Sequence, residues 1–275
     1  MKASRRSKAF RVGYTALILL FLYAPMAVML FFSFNESRST AQFTGFSLHW
    51  YAELFRNSAA QNALKNTLLL ALSAAAVSVV VGTLSAVGID RTRRKWLKSS
   101  ILSVTNLPLM NPDIVTGISM MLLFVFAARL IGARTMLGFP TLLIAHVTFC
   151  LPYVILSVLP KLRQIDPHLA EAAMDLGCSQ AQAFFRVELP SIASGVVSAF
   201  LMAFTLSLDD FVISYFVSGT GFQTLPIYIY SMTKKRVTPD MYALSTLIFI
   251  AVFLLLLLSN LVQARSEKKM RGARN

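Results

Sequence analysis

Three carboxylates stand where carboxylates are costly. Asp113, Asp209 and Asp210 fall inside long apolar runs, whereas the other nine of the twelve Asp and Glu lie in polar segments or at run ends. A carboxylate at the middle of a bilayer costs at least about 2.5–3.5 kcal/mol, so such a residue faces a bundle interior or a wet cavity. The chemistry open to it there is to bind a cation and pass it on. Two other readings stand beside that one. The acids could pair with Lys or Arg inside the bundle, but no Lys or Arg lies deep in any run; Lys65 and Arg129 sit at run ends. Burial could instead keep them protonated. Metal ligation has little support, because no His or Cys neighbours the three acids in the sequence. Phe211 and Tyr215, one and five residues after Asp210, could offer faces to ammonium groups or simply pack. His146 is a lone histidine in an apolar run and is expected to hydrogen bond within the bundle.

The elements that must position these residues are membrane helices. Of the 275 residues, 56% are apolar and 14% charged, against about 25% charged in an ordinary globular chain. Mean hydropathy is +0.64. These figures argue against a soluble domain and exclude a disordered chain, a disulfide scaffold and collagen. The two cysteines, Cys150 and Cys178, read as free thiols. A spanning helix needs about 20 apolar residues. Six runs qualify: 13–34, 64–88, 99–128, 139–160, 191–218 and 241–263. The first is too long for a signal peptide and reads as an uncleaved helix. Asp113 lies about 21 Å along the third run and Asp209 about 27 Å along the fifth. Asn111-Pro112-Asp113, with Pro108 a turn earlier, should break or kink the third helix. A broken helix is tolerated where it lines a cavity, and its free carbonyls also attract cations.

Charge sets the orientation. Eighteen of the 26 Lys and Arg fall in the N-terminus, segment 89–98, segment 161–190 and the tail. That side should be cytoplasmic, which puts both termini inside. The net charge of +14 is therefore a membrane signature, and no nucleic-acid-binding pattern accompanies it. In the outer segment 35–62, residues 49–58 suggest a short helix along the interface, anchored by Trp50 and Tyr51. In the second run Ala74, Ser78, Gly82 and Ala86 share one face at spacing four, a row suited to close helix packing and to no chemistry.

The loop 161–190 carries the most specific pattern. Asp166-Pro167 predicts an N-cap followed by the first helical residue, and Gly177 predicts the end of that helix. Leu169, Ala172, Ala173 and Leu176 form one apolar stripe, with His168, Glu171 and Asp175 on a neighbouring face. Ser179 and Gln182 predict a capping box opening a second helix, closed by Pro190. Such a helix-turn-helix is too small to fold alone. By its residues it is equally a prong for a partner's groove or a loop packed on its own helices.

Glu171-Ala172-Ala173, then Gly177, then Val187, Leu189 and Pro190 resemble the EAA loop of ABC-importer permeases, with Val187 where that family usually has Ile. The stretches His146–Pro152, Phe204–Asp210 and Thr224–Tyr228 resemble the spermidine/putrescine permeases, in particular their second, C-type subunit. The resemblance implies a type I importer fold and a coupling loop that enters a cleft of an ATPase subunit. Glu171 would make the polar contact, Ala172 and Ala173 would permit close approach, and Gly177 would turn the chain. It implies as partners an ABC ATPase dimer, a second homologous permease, which could also supply a counter-charge for the acids, and an extracytoplasmic polyamine-binding protein.

The reading is thus an all-α membrane protein of six transmembrane helices with both termini cytoplasmic. It comprises one transmembrane domain over 1–275, with a leading helix at 13–34 and a five-helix core at 62–262. Its expected function is the permease subunit of an ATP-driven polyamine importer of the bacterial inner membrane, with Asp113, Asp209 and Asp210 along the path. An importer of another solute, such as ferric iron or an organic cation, fits the loop equally. A stand-alone secondary transporter fits the acids but leaves the loop unexplained. No P-loop, nucleophile–base pair or metal constellation appears, so neither catalysis nor a cofactor is expected.

Overall fold

The computed structural model describes residues 5–37, 42–132, 137–166, 168–234 and 239–272. The helices follow in order as α1 (Arg5–Phe32), α2 (His49–Leu54), α3 (Ser58–Arg91), α4 (Lys95–Met110), α5 (Asp113–Leu130), α6 (Phe139–Leu162), α7 (His168–Asp175) and α8 (Gln180–Ala183). A π-helical turn (Phe184–Glu188) leads into α9 (Leu189–Ser191), then α10 (Ala193–Asp209), α11 (Val212–Val217), α12 (Leu225–Thr233) and α13 (Pro239–Gly272). Among the described residues four helices are long and apolar enough to cross a membrane, or five if the bent pair Gln180–Ser191 and Ala193–Asp209 counts as one span. The chain divides into two compact units, residues 1–61 with 229–252, and residues 62–228 with 253–275.

In the first unit α1 carries an exposed apolar surface, with Leu20 and Phe21 more than 70% exposed. The chain after it folds around Asn35, whose amide donates to the Gln42 carbonyl at 2.8 Å and accepts from the Thr44 amide at 2.9 Å. Trp50 departs from the expected interfacial anchor. It is only 4% exposed, and its indole donates to the Asn35 carbonyl at 2.7 Å. Tyr51 shares a 2.7 Å hydrogen bond with Ser33. The helix that carries both ends at Leu54, short of the expected 58. An indole N–H needs an acceptor wherever it sits, and here a backbone carbonyl supplies it in place of lipid headgroups.

The second unit is built on α3, α6 and α10. Ala71, Ala75, Val79, Ala86 and Ile89 of α3 meet Cys150, Val154, Val158 and Leu159 of α6 and Ala199, Ala203 and Phe204 of α10 in one buried cluster. The α3 row acts as expected. Ala74, Ser78 and Ala86 are fully buried, and a Cβ on Gly82 would lie 2.5 Å from Val154 Cγ1. A matching row on α10, which sequence reasoning missed, consists of Gly195, Ala199, Ala203 and Ser207, all buried. It faces His146, Cys150, Val154 and Val158 of α6, also at spacing four and each 0% exposed.

The expected irregularity falls within the third run, and the fifth run, where none was expected, is also bent and broken. The third run breaks at Asn111-Pro112, separating α4 from α5. The fifth begins after a 72° bend at Ile192 and breaks again at Asp210-Phe211, between α10 and α11.

Gly82→Ala should lower the thermal stability of the detergent-solubilised protein, because overpacking a filled contact costs about 1–3 kcal/mol. Gly88→Ala, with nothing within 4 Å of the added methyl, should hold or raise it, since Ala is favoured over Gly in a helix by roughly 0.5–1 kcal/mol. Equal melting shifts in the two variants would remove the close α3–α6 approach.

Candidate functional site

The loop between α6 and α10 is shaped by its caps. The Asp166 carboxylate accepts the His168 amide at 3.0 Å, and its carbonyl accepts the Leu169 amide at 3.1 Å. Pro167 lies outside the described residues. Helix α7 ends on paired bonds, from the Gly177 amide to the Met174 carbonyl (2.9 Å) and from the Cys178 amide to the Ala173 carbonyl (3.1 Å), with Gly177 at φ +90°. This is a Schellman turn, which needs a residue at ease in the left-handed region. Ser179 and Gln182 cap each other's amides at 3.3 and 2.9 Å. The second helix does not close at Pro190. The π-helical turn re-registers the backbone ahead of that proline, whose missing amide would otherwise interrupt the ladder, and the helix continues to Ser191.

Most of the expected stripe faces outward. Ala173 is buried, while Leu169, Ala172 and Leu176 are exposed, Leu176 by 88%. Glu171 is exposed and bonded at 3.0 Å to His168 Nδ1. Behind the loop lies a cleft of about 560 Å³ lined by Asp90, Arg93, Arg163, Glu171, Met174 and Ala183 among others. Arg91 pairs with Glu188 at 2.8 Å, and Asp90 lies 3.3 Å from Lys98 and 3.7 Å from Arg163. These pairs bring segments 89–98 and 161–190 to one end of the bundle.

The structure separates the three acids. Asp113 is exposed at the first position of α5, where the helix dipole favours a negative charge. Asp209 is exposed at the last position of α10. There the helix dipole and the free terminal carbonyls disfavour a negative charge. Asp210 is placed differently from Asp209 beside it. Its side chain is 7% exposed, accepts the Ser214 and Ile213 amides at 2.8 and 3.3 Å, and lies 3.4 Å from His146 Nε2. It caps α11, and its lone pairs are engaged. No His neighbours the acids in the sequence, but His146, distant along the chain, is adjacent to Asp210 in space. A carboxylate three and four residues ahead of the amides it caps is a signal the sequence carries; the neighbouring Asp209 masked it. The Phe211 and Tyr215 rings pack on each other at 5.4 Å.

Residues 78–272 match the family described as binding-protein-dependent transport system inner membrane component. The chain belongs to this family. It is similar to the Escherichia coli (strain K12) putrescine transport system permease protein PotI, 40% identical over 94% of this chain and 92% of that one. It is also similar to the spermidine/putrescine permease PotC of Haemophilus influenzae, 36% identical over 94% and 97% of the two chains. Its fold resembles a bacterial ABC transporter involved in the import of the acidic polysaccharide alginate, with a TM-score of 0.71, 16% identity and coverage of 95% and 94%. An amino acid ABC transporter matches at a TM-score of 0.52, with 20% identity, over 78% of this chain and 98% of that one. As a member of the family the chain is a transport component of the inner membrane and not an enzyme.

One consequence of the loop geometry is open to titration. The Glu171 hydrogen bond, with Asp166 adding to it, pushes the His168 imidazole above its ordinary 6.5. The contact belongs to the protonated ring, so it is complete below that value and is lost as pH rises through the raised one. Nitrogen-15 spectra of the solubilised permease should show His168 titrating above 6.5, with Glu171→Gln moving it back toward that value. An unchanged titration in the variant would separate the two side chains in solution.

Proposed function

We propose that this permease is the membrane-spanning subunit of an ATP-driven importer of polyamines, spermidine or putrescine. The observation that carries the reading is the 40% identity to a putrescine permease over 94% of the chain. It is supported by an exposed acid at each of two helix breaks, Asp113 and Asp209. A flexible polycation needs separated anionic points, and these two stand on different helices. Asp210, capped into α11, holds the second break in shape and contributes background potential.

Six spans carry the chain, with both termini cytoplasmic, a leading helix at 13–34 and a five-helix core at 62–262. The clustering of the basic segments 89–98 and 161–190 at one end supports that orientation. The exposed stripe of the loop, with Glu171, Ala172, Ala173 and Gly177, docks on an ABC ATPase dimer. A second homologous permease completes the pathway, and an extracytoplasmic binding protein delivers the solute. Closure of the ATPase dimer moves the loops and opens the cavity outward; hydrolysis returns it inward. ATP binding and hydrolysis belong to the separate ATPase subunit.

The test is uptake of labelled putrescine and spermidine into proteoliposomes holding the complete transporter and its binding protein. Glu171→Lys should abolish uptake while membrane insertion is retained; normal uptake would end the coupling assignment. Asp209→Asn should lower uptake about tenfold, the order expected for losing one charge-assisted contact. Asp210→Ala should instead lower stability. Polyamine-independent ATP hydrolysis, stimulated by ferric iron or another organic cation, would favour the alternative solute.

A further inference from the structure

We infer that His146 is a positioning residue that transmits the loop's movement to the substrate path, an assignment that rests on the ATP-driven reading above. The loop has two arms. Helix α6 enters it at Leu162, and α10 leaves it at Ala193. His146 lies about 24 Å up the first arm from Leu162 and Ser207 about 21 Å up the second from Ala193. At that height the arms are pinned together: His146 Nδ1 and Ser207 Oγ are 2.7 Å apart. The other ring nitrogen reaches beyond the helix break, with Nε2 3.0 Å from Ser214 Oγ and 3.4 Å from Asp210 Oδ2. A single buried ring therefore ties α6 to both sides of the elbow that presents Asp209.

The seam below the pin keeps the two arms in register. Cys150 Sγ reaches the Ala203 carbonyl at 3.6 Å, Val154 and Ala199 share a buried cluster, and a Cβ on Gly195 would meet Lys161 Cγ at 2.7 Å. Sequence numbers fall on one arm as they rise on the other, so this is one continuous antiparallel contact. With small residues along its length, α10 cannot slide on α6 without steric conflict. The loop and its arms then move as one lever, and the elbow at Asp209–Phe211 swings with its tip. Without the His146 bridge the apolar seam persists, but the elbow loses the link that joins α6 to Ser207, Ser214 and Asp210 at once and no longer follows the stroke.

The experiment uses the complete reconstituted transporter with its ATPase and binding protein, and reads ATP hydrolysed per polyamine imported. This ratio does not depend on how much protein is active, so a merely structural defect leaves it unchanged. His146→Ala and Ser207→Ala should each raise the ratio about fivefold, the change that loss of one net hydrogen bond gives. His146→Gln, which keeps donor and acceptor, should restore it at least in part. The double variant should be no worse than His146→Ala alone, because both changes cut the same link. An unchanged ratio in Ser207→Ala, or additive effects in the double variant, would overturn the assignment. Wild-type transporter that imports no polyamine with ATP would instead refute the underlying reading, and the two failures are distinct.

Discussion

Hydrocarbon gives a helix pair little hydrophobic reason to associate, because lipid tails are as apolar as leucine. Association rests on close van der Waals contact and on polar groups that find partners within the bundle. The α6–α10 seam meets both demands along one line. Gly195, Ala199 and Ala203 bring the backbones together, and Ser207 turns the next small position into a hydrogen-bond acceptor or donor for His146. Spacing of four on both helices places the two ridges in the same inclination, so they interdigitate over several turns. The second unit is organised around this contact. Helix α3 packs its own small row on the far side of Val154, and the loop hangs from the lower ends of the two arms.

The upper end of the seam shows how a broken helix is kept inside a membrane. Backbone groups released at a break must be satisfied from nearby. At the α10–α11 elbow that task falls to Asp210, which takes two amides of α11, while His146 bridges the serines on either side. Asp209 is spared and remains exposed. The adjacent carboxylates thus differ: one fixes the elbow and the other is exposed.

The loop was readable from its residues because capping is local chemistry. Asp166, Ser179 and Gln182 accept amides two or three residues away, and Gly177 turns the chain at φ +90°, each as its type and position predict. The break at Asn111-Pro112 was readable for the same reason. Tertiary partners were not. Trp50 was expected at an interface because indoles favour it, but its N–H found the Asn35 carbonyl, a choice made by folding of the outer segment. His146 was expected to be hydrogen bonded, yet nothing in one sequence names Ser207 and Ser214 across more than sixty residues. The α10 row at 195, 199, 203 and 207 was visible as a pattern. Its partner was not, because any small-residue row fits many helix faces.

The ion pairs at the lower end do a different job from the seam. Arg91–Glu188 and the Asp90 pairs are partly exposed, and such contacts contribute from nothing to about 1 kcal/mol each. They cannot clamp the loop against a load. They can choose among orientations that the backbone already permits, since opposite charges brought near cost little to form and little to break. The covalent arms and the seam above them are the stiff parts, and the salt bridges are the soft ones. A partner that grips the exposed stripe of α7 therefore meets least resistance where the loop touches α3, and most where it joins α6 and α10. That stiff pair ends at the elbow beside Asp209.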